Sequence, residues 1–197
     1  GNMATGYRDA WFGIQQDDIP QGVQYTVSTA APGLVSFSNG SLARANLIID
    51  WDGDDSAPTG INGSNTAPTS RNLGSGAAAM DLTDGGGSTA FFFDVISADL
   101  GFDFQIEVTD TDGDLAVYDF PGQTPPIPSA TTFGPILFTS FNNAATDFDS
   151  VRSISLLIQP GGIDRDFTID NFYTDEVPAP ATVALVGLGL SLFGLAN

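Results

Sequence analysis

The sequence predicts an all-β fold, an antiparallel β-sandwich of jelly-roll type, followed at its C-terminal end by one hydrophobic α-helix. Three observations carry this. Short runs of alternating apolar and polar residues recur between Gly, Pro, Asp and Asn, the pattern of half-buried strands joined by turns. No stretch upstream of Val177 keeps helical spacing over ten residues. The end of the chain differs in kind, with nothing charged from Ala181 to Ala196. A length of 197 residues fits one domain, residues 1–176, and an appendage, residues 177–197.

Residues 1–22 show no clear period. Trp11, Phe12, Ile14 and Ile19 suit a first strand or an N-terminal arm laid on a neighbour. From Gln24 onward the strands expected are Gln24–Ala30, Gly33–Ser38, Leu42–Ile49, Ala77–Leu82, Thr89–Ser97, Phe102–Thr109, Leu115–Phe120, Ile136–Phe141, Val151–Gln159 and Asp166–Thr174. The clearest is Phe102–Thr109. There Phe102, Phe104, Ile106 and Val108 point one way, and Asp103, Gln105, Glu107 and Thr109 the other. Ile154, Leu156 and Ile158 alternate in the same manner, as do Phe167 and Ile169. Fifteen Phe suit strand cores, where aromatic side chains pack well on a pleated surface. Many short strands with Gly, Pro and Asp turns imply two packed sheets.

Two loops interrupt the pattern. Ser56–Ser70 is polar and rich in Ser, Thr and Pro. Thr59, Ser64, Thr66 and Thr69 are its candidate O-glycosylation positions. Asn39-Gly-Ser41 and Asn62-Gly-Ser64 match the N-glycan acceptor pattern at Asn39 and Asn62. A plain surface loop is the alternative. Pro121–Pro128 is Pro-rich and reads as a stiff crossover between sheets.

Charge restricts the partners. The chain has 24 acidic residues, only Glu107 and Glu176 being Glu, against five Arg, and a net charge of −19. Such a surface repels nucleic acid and anionic membranes. Without His or Cys, catalytic triads, thiol nucleophiles and disulfides are excluded. No spacing singles out a carboxylate pair for glycoside hydrolysis, and no Gly-rich phosphate loop leads into a helix.

Two Asp-rich loops could hold calcium. Asp110-Thr-Asp-Gly-Asp114 places Asp110, Asp112 and Asp114 at alternate positions around a Gly, and Asp50-Trp-Asp-Gly-Asp54 does the same with Asp50, Asp52 and Asp54. Alternate carboxylates in a tight loop can converge on a Ca²⁺ that takes six to eight hard oxygens. The competing reading is structural, since Asp-Gly is a favoured hairpin turn. Trp51, Tyr118 and Tyr173 could form an aromatic platform for sugar, or pack in the core.

In the tail, Pro180 suits the first position of a helix. Val183, Leu185, Val186, Leu188, Leu190, Leu192, Phe193 and Leu195 then cover every side of it. A helix apolar all round must be buried, in protein or in lipid. The stretch from Ala181 to Ala196 rises about 24 Å, short of the roughly 30 Å hydrocarbon core of a bilayer. It therefore suits a marginal membrane anchor or the packed core of an assembly of copies. Gly187 and Ser191 offer the small-xxx-small spacing that brings helices close.

Val177-Pro-Ala-Pro-Ala-Thr182 followed by the apolar Val183–Ala196 resembles the C-terminal sorting signal of PEP-CTERM proteins, the exosortase substrates of Gram-negative bacteria. Ala179 stands where that signal has a glutamate, and the terminal Arg cluster is absent. Phe167–Thr174 resembles the last strand that leads into such tails. The resemblance implies a secreted protein of the outer cell surface, whose signal peptide is removed ahead of Gly1.

Two functional expectations follow. The first is a non-enzymatic extracellular structural protein of the cell surface or biofilm matrix, self-assembling into a filament with other copies through the C-terminal helix. The second is a membrane-tethered, calcium-dependent carbohydrate-binding module. A glycoside hydrolase has only fold analogy behind it.

Overall fold

The computed structural model describes residues 8–17, 23–27, 34–39, 43–51, 79–122, 124–159 and 166–177. Ten strands run through them: β1 (Arg8–Asp17), β2 (Val23–Val27), β3 (Val35–Asn39), β4 (Ala43–Trp51), β5 (Ala90–Ala98), β6 (Asp103–Asp110), β7 (Leu115–Asp119), β8 (Thr131–Leu137), β9 (Val151–Gln159) and β10 (Asp166–Asp175). They form two five-stranded sheets, β1-β4-β9-β6-β7 and β2-β3-β10-β5-β8. All the pairings described are antiparallel. The segment after β7 crosses from the first sheet to the second, as its prolines suggest.

Alternation decides which side chains lie between the sheets. On β6, Phe104, Ile106 and Val108 are buried, as are Ile154, Leu156 and Ile158 on β9 and Phe91, Phe93 and Val95 on β5. Phenylalanine rings join the two layers. Phe93 of β5 meets Phe104 of β6 edge-to-face at 4.9 Å, and Trp51 of β4 stacks on Phe172 of β10 at 5.3 Å. Phe91 is surrounded by Phe138, Phe141 and Phe172 at 5.1–5.8 Å. Such pairs add to the area term about 0.5–1.5 kcal/mol each.

Three expectations change. Ala77–Leu82 is not a strand in its described part. Met80 makes one bridge to Val151, and the chain then turns, because the Asp81 carboxylate accepts the N–H groups of Thr83 and Gly85 and the Thr83 hydroxyl. Gly85 and Gly86 supply the positive φ this turn needs. The strand expected at Ile136–Phe141 lies earlier, at Thr131–Leu137, and Phe138–Ser140 is a single 3-10 turn. That turn brings Phe138 face to face with Phe148, 4.5 Å apart and 7° from parallel, a contact that sequence alternation does not encode. Trp11, Phe12 and Ile14 belong to β1, which pairs with β4, so this stretch is a sheet strand of its own chain. Ile19, and the tail from Pro178 with its expected helix residues Val183–Leu195, lie outside the described residues.

Phe91 is fully buried and touches three other rings, so Phe91→Ala removes contacts that the backbone cannot recover by collapsing. The expected loss is about 3–5 kcal/mol, read as a lower urea midpoint at unchanged slope in denaturation followed by circular dichroism.

Candidate functional site

The outer face of the β2-β3-β10-β5-β8 sheet presents aromatic rings to solvent. On β5, Phe91 and Phe93 enter the core, so Phe92 between them points outward. On β10 the parity is reset. Phe167 and Ile169 are buried, and a bulge between Ile169 and Phe172 then turns Phe172 and Thr174 inward. Tyr173 is thereby left on the outside, opposite Phe92 in the register. The two rings lie 5.6 Å apart and 17° from parallel, both half-buried.

Gly134 of β8 makes room for this arrangement. A Cβ built there would come within 2.7 Å of Phe92 Cδ1 and 2.9 Å of the Phe91 carbonyl oxygen. Its φ of +132° is also one that L side chains rarely adopt. The Phe92 ring therefore rests against the strand at the one residue type that lets it approach.

Polar groups stand beside the rings. Asp94, next outward on β5, accepts a hydrogen bond from Thr132 Oγ1 of β8 at 2.7 Å. It accepts another from Asn171 Nδ2 of β10 at 3.3 Å. One carboxylate thus ties three strands together and keeps lone pairs for a ligand, since a carboxylate offers about four acceptor sites. Partial burial, then the charges of Asp94 and Asp175, raise the Tyr173 phenol above its ordinary value, while a hydrogen bond with Thr132 acts the other way. The phenol accordingly stays protonated at neutral pH and can donate. Farther along β10, Thr168 shares a hydroxyl–hydroxyl hydrogen bond with Ser36 of β3 at 3.1 Å, and Ile96 is exposed on β5.

Of the three aromatics named from sequence, only Tyr173 belongs to this face. Trp51 and Tyr118 pack against the core; they keep the parity of Leu47 and Ile49 and of Ala116, which are buried. Phe92 was missed, although three consecutive Phe on one strand force at least one ring outward.

The Asp110–Asp114 loop behaves as a turn. Asp110 is buried at the end of β6. Its Oδ1 accepts the N–H groups of Asp112 and Asp114, and its Oδ2 that of Asp147, at 2.9–3.0 Å. Burial pushes this carboxyl up, but those backbone donors outweigh it and hold it below the ordinary carboxylate value. Asp112 and Asp114 are exposed. Asp50 is buried on β4 and accepts the Ser155 hydroxyl at 2.6 Å. Among the described residues, no group of three or more Asp or Glu is placed to hold a metal ion. Asp52 and Asp54 lie outside them, as do Asn62, Thr59, Ser64, Thr66 and Thr69. Asn39 closes β3, paired with Val23.

A second concavity, an open cleft of about 600 Å³, is bordered by Asp81, Thr83, Gly85, Gly86 and Asp149. Asp81 is engaged by its own turn, which lowers its pKa through Thr83 and Gly85. Asp149 is raised, first by its hydrogen bond and repulsion with Asp147.

No family model matches the chain, and no curated protein matches it. Among solved structures, it is similar to an agarase at 13% identity and a TM-score of 0.46, over 85% of this chain and 23% of that one. It thus spans about a quarter of the agarase's length. It is also similar to a family 11 carbohydrate-binding module of a Clostridium thermocellum cellulosomal cellulase, at 16% identity and a TM-score of 0.45, over 90% of this chain and 92% of the module. A third is TmCBM61, solved with β-1,4-galactotriose, at 11% identity and a TM-score of 0.37, over 84% of this chain and 88% of that one.

Because the folded Asp110 carboxyl titrates below its unfolded value, its contribution is complete above about pH 4. It is lost as pH falls through the lower folded value. Asp110→Asn is expected to cost roughly 1.5–3 kcal/mol at neutral pH. The gap from the unmodified chain should narrow as the pH of urea melts is taken below about 4.

Proposed function

We propose that the sandwich is a non-catalytic carbohydrate-binding module, and that a neutral glycan lies on the outer face of the β2-β3-β10-β5-β8 sheet. The observation that carries this is the nearly parallel Phe92–Tyr173 pair, half-open to solvent and bordered by Asp94, Thr132 and Asn171. A pyranose ring has apolar C–H faces and a rim of hydroxyls. Flat aromatic surface covers the first without an unmet polar group, and a carboxylate, a hydroxyl and an amide at the edge satisfy the second. The net charge of −19 argues for a neutral sugar over a uronic or sulfated one. What supports recognition over turnover is that Asp94, the carboxylate beside the rings, is tied to Thr132 and Asn171 and stands without a second described carboxylate bonded to it.

Export and attachment at the outer cell surface belong to the same proposal, on the resemblance of Val177–Thr182 and Val183–Ala196 to a sorting signal. Polymerisation through that tail has no support among the described residues, and the conclusion rests on the second of the two sequence expectations. Calcium is not required by it, since the Asp110 oxygens expected to hold the cation accept backbone N–H groups instead.

A glycan array of neutral, acidic and sulfated polysaccharides tests the proposal. Binding is expected to neutral chains only. Tyr173→Ala and Phe92→Ala should each weaken it about tenfold or more, which is about 1.4 kcal/mol, at an unchanged circular dichroism spectrum. Retention of full binding by both variants, or silence of the unmodified chain across the neutral glycans, overturns it. Repeating the array with a chelator reports whether calcium takes part.

A further inference from the structure

The platform does not end at the two rings. Along the same edge of the sheet runs an open groove of about 470 Å³, walled by Pro125, Pro126 and Pro128 on one side and by Thr131, Thr132 and Gly134 of β8 on the other. Thr132 and Gly134 are the residues that hold Asp94 and seat Phe92, so the groove borders the platform. The Pro segment is fixed in place, because Ile127 exchanges both backbone hydrogen bonds with Ala98 at the end of β5, at 2.7 and 2.8 Å. β8 pairs with β5 from Ala90 to Val95, and Ile127 pairs with Ala98 farther along the same edge. The groove therefore lies on that edge of β5, between the Ile127 bridge and the start of β8. Phe92, Asp94 and the exposed Ile96 form a row beside it. From Phe92 to Ile96 this row is about 14 Å long, at roughly 3.4 Å per strand residue. That is longer than one pyranose ring, and the volume is in the range of ligand clefts, about 300–1,000 Å³.

We infer that the site is elongated and takes a stretch of a neutral polysaccharide laid along the β5 row of Phe92, Asp94 and Ile96. One sugar lies on Phe92 and Tyr173, and the following sugars lie beyond Asp94, between Ile96 and the proline wall. This rests on the carbohydrate-binding reading and adds to it the class of ligand: a chain, and not a monosaccharide. Proline and isoleucine offer apolar surface that is ordered before binding, so the distal sugars meet a wall that loses little freedom on contact.

Calorimetric titration of the full chain with neutral β-1,4-linked gluco- and galacto-oligosaccharides of increasing length tests the inference. Affinity is expected to rise about tenfold or more between disaccharide and tetrasaccharide and then to level off. Thr131→Arg, an exposed change that fills the groove, should remove that gain and leave disaccharide binding as it was. Tyr173→Ala should weaken every length alike. An affinity that does not grow with length, or a Thr131→Arg variant that keeps the whole gain, overturns the cleft while leaving the platform intact. Absence of binding at every length, or indifference to Tyr173→Ala, overturns the platform and the cleft with it. Equal melting temperatures of the variants and the unmodified chain show that the loss is at the site.

Discussion

One register governs both the interior and the surface of this protein. Three consecutive phenylalanines stand on β5, next to the edge strand β8, and a strand sends successive side chains to opposite faces. Phe91 and Phe93 fill the space between the sheets, where they meet rings from β6, β8 and β10 and from the turn that follows β8. Phe92 has no way to join them. A slip of one residue would bury one ring and expose two, which is a strong penalty against any other pairing. The packing that fixes the core thus also fixes the position of the exposed ring, and the outer platform inherits the rigidity of the interior.

Acidic residues are distributed by a similar economy of roles. Several turn the chain. Asp81 and Asp110 each accept backbone N–H groups that their loops would otherwise leave unmet, the use for which a short carboxylate is best suited. Asp110 also reaches Asp147 in another loop, which binds the hairpin after β6 to the segment before β9. Asp94 does the equivalent across three strands on the outer face. Exposed ones such as Asp112 and Asp114 stay in water, where mutual repulsion keeps polyanions away.

The alternating strands were legible in the sequence because period two is a local property. Phe102–Thr109 and Val151–Gln159 match β6 and β9 to within a residue at either end. The site was less legible, and the reason is the bulge on β10. Extending the parity of Phe167 and Ile169 would place Tyr173 inside and Phe172 outside. The two residues taken up between Ile169 and Phe172 reverse this, and no local pattern announces a bulge. Trp51 and Tyr118 failed as platform residues for the opposite reason: their strands run without interruption, so they follow Leu47, Ile49 and Ala116 inward. The strand near Ile136 was displaced because Phe138 leaves β8 for a ring contact with Phe148, a residue of a distant loop. Sequence alternation gives the parity of a strand and says nothing of where tertiary contacts end it.

Exposed aromatic rings on a sheet face are an expense that stability alone would not select, since a polar side chain there would leave less apolar surface in water. The way these two are held argues that the surface is meant for use. Phe92 lies against a glycine whose replacement the ring itself forbids, and Tyr173 stacks on Phe92 with its phenol engaged by Thr132. Both rings are therefore ordered before any ligand arrives, and little side-chain entropy remains to be lost on binding. On the proposed reading an open, shallow face cannot enclose its ligand, so affinity per sugar would be modest and specificity would come from a repeating chain that engages several points at once. Length along the sheet edge does what depth would do in a pocket.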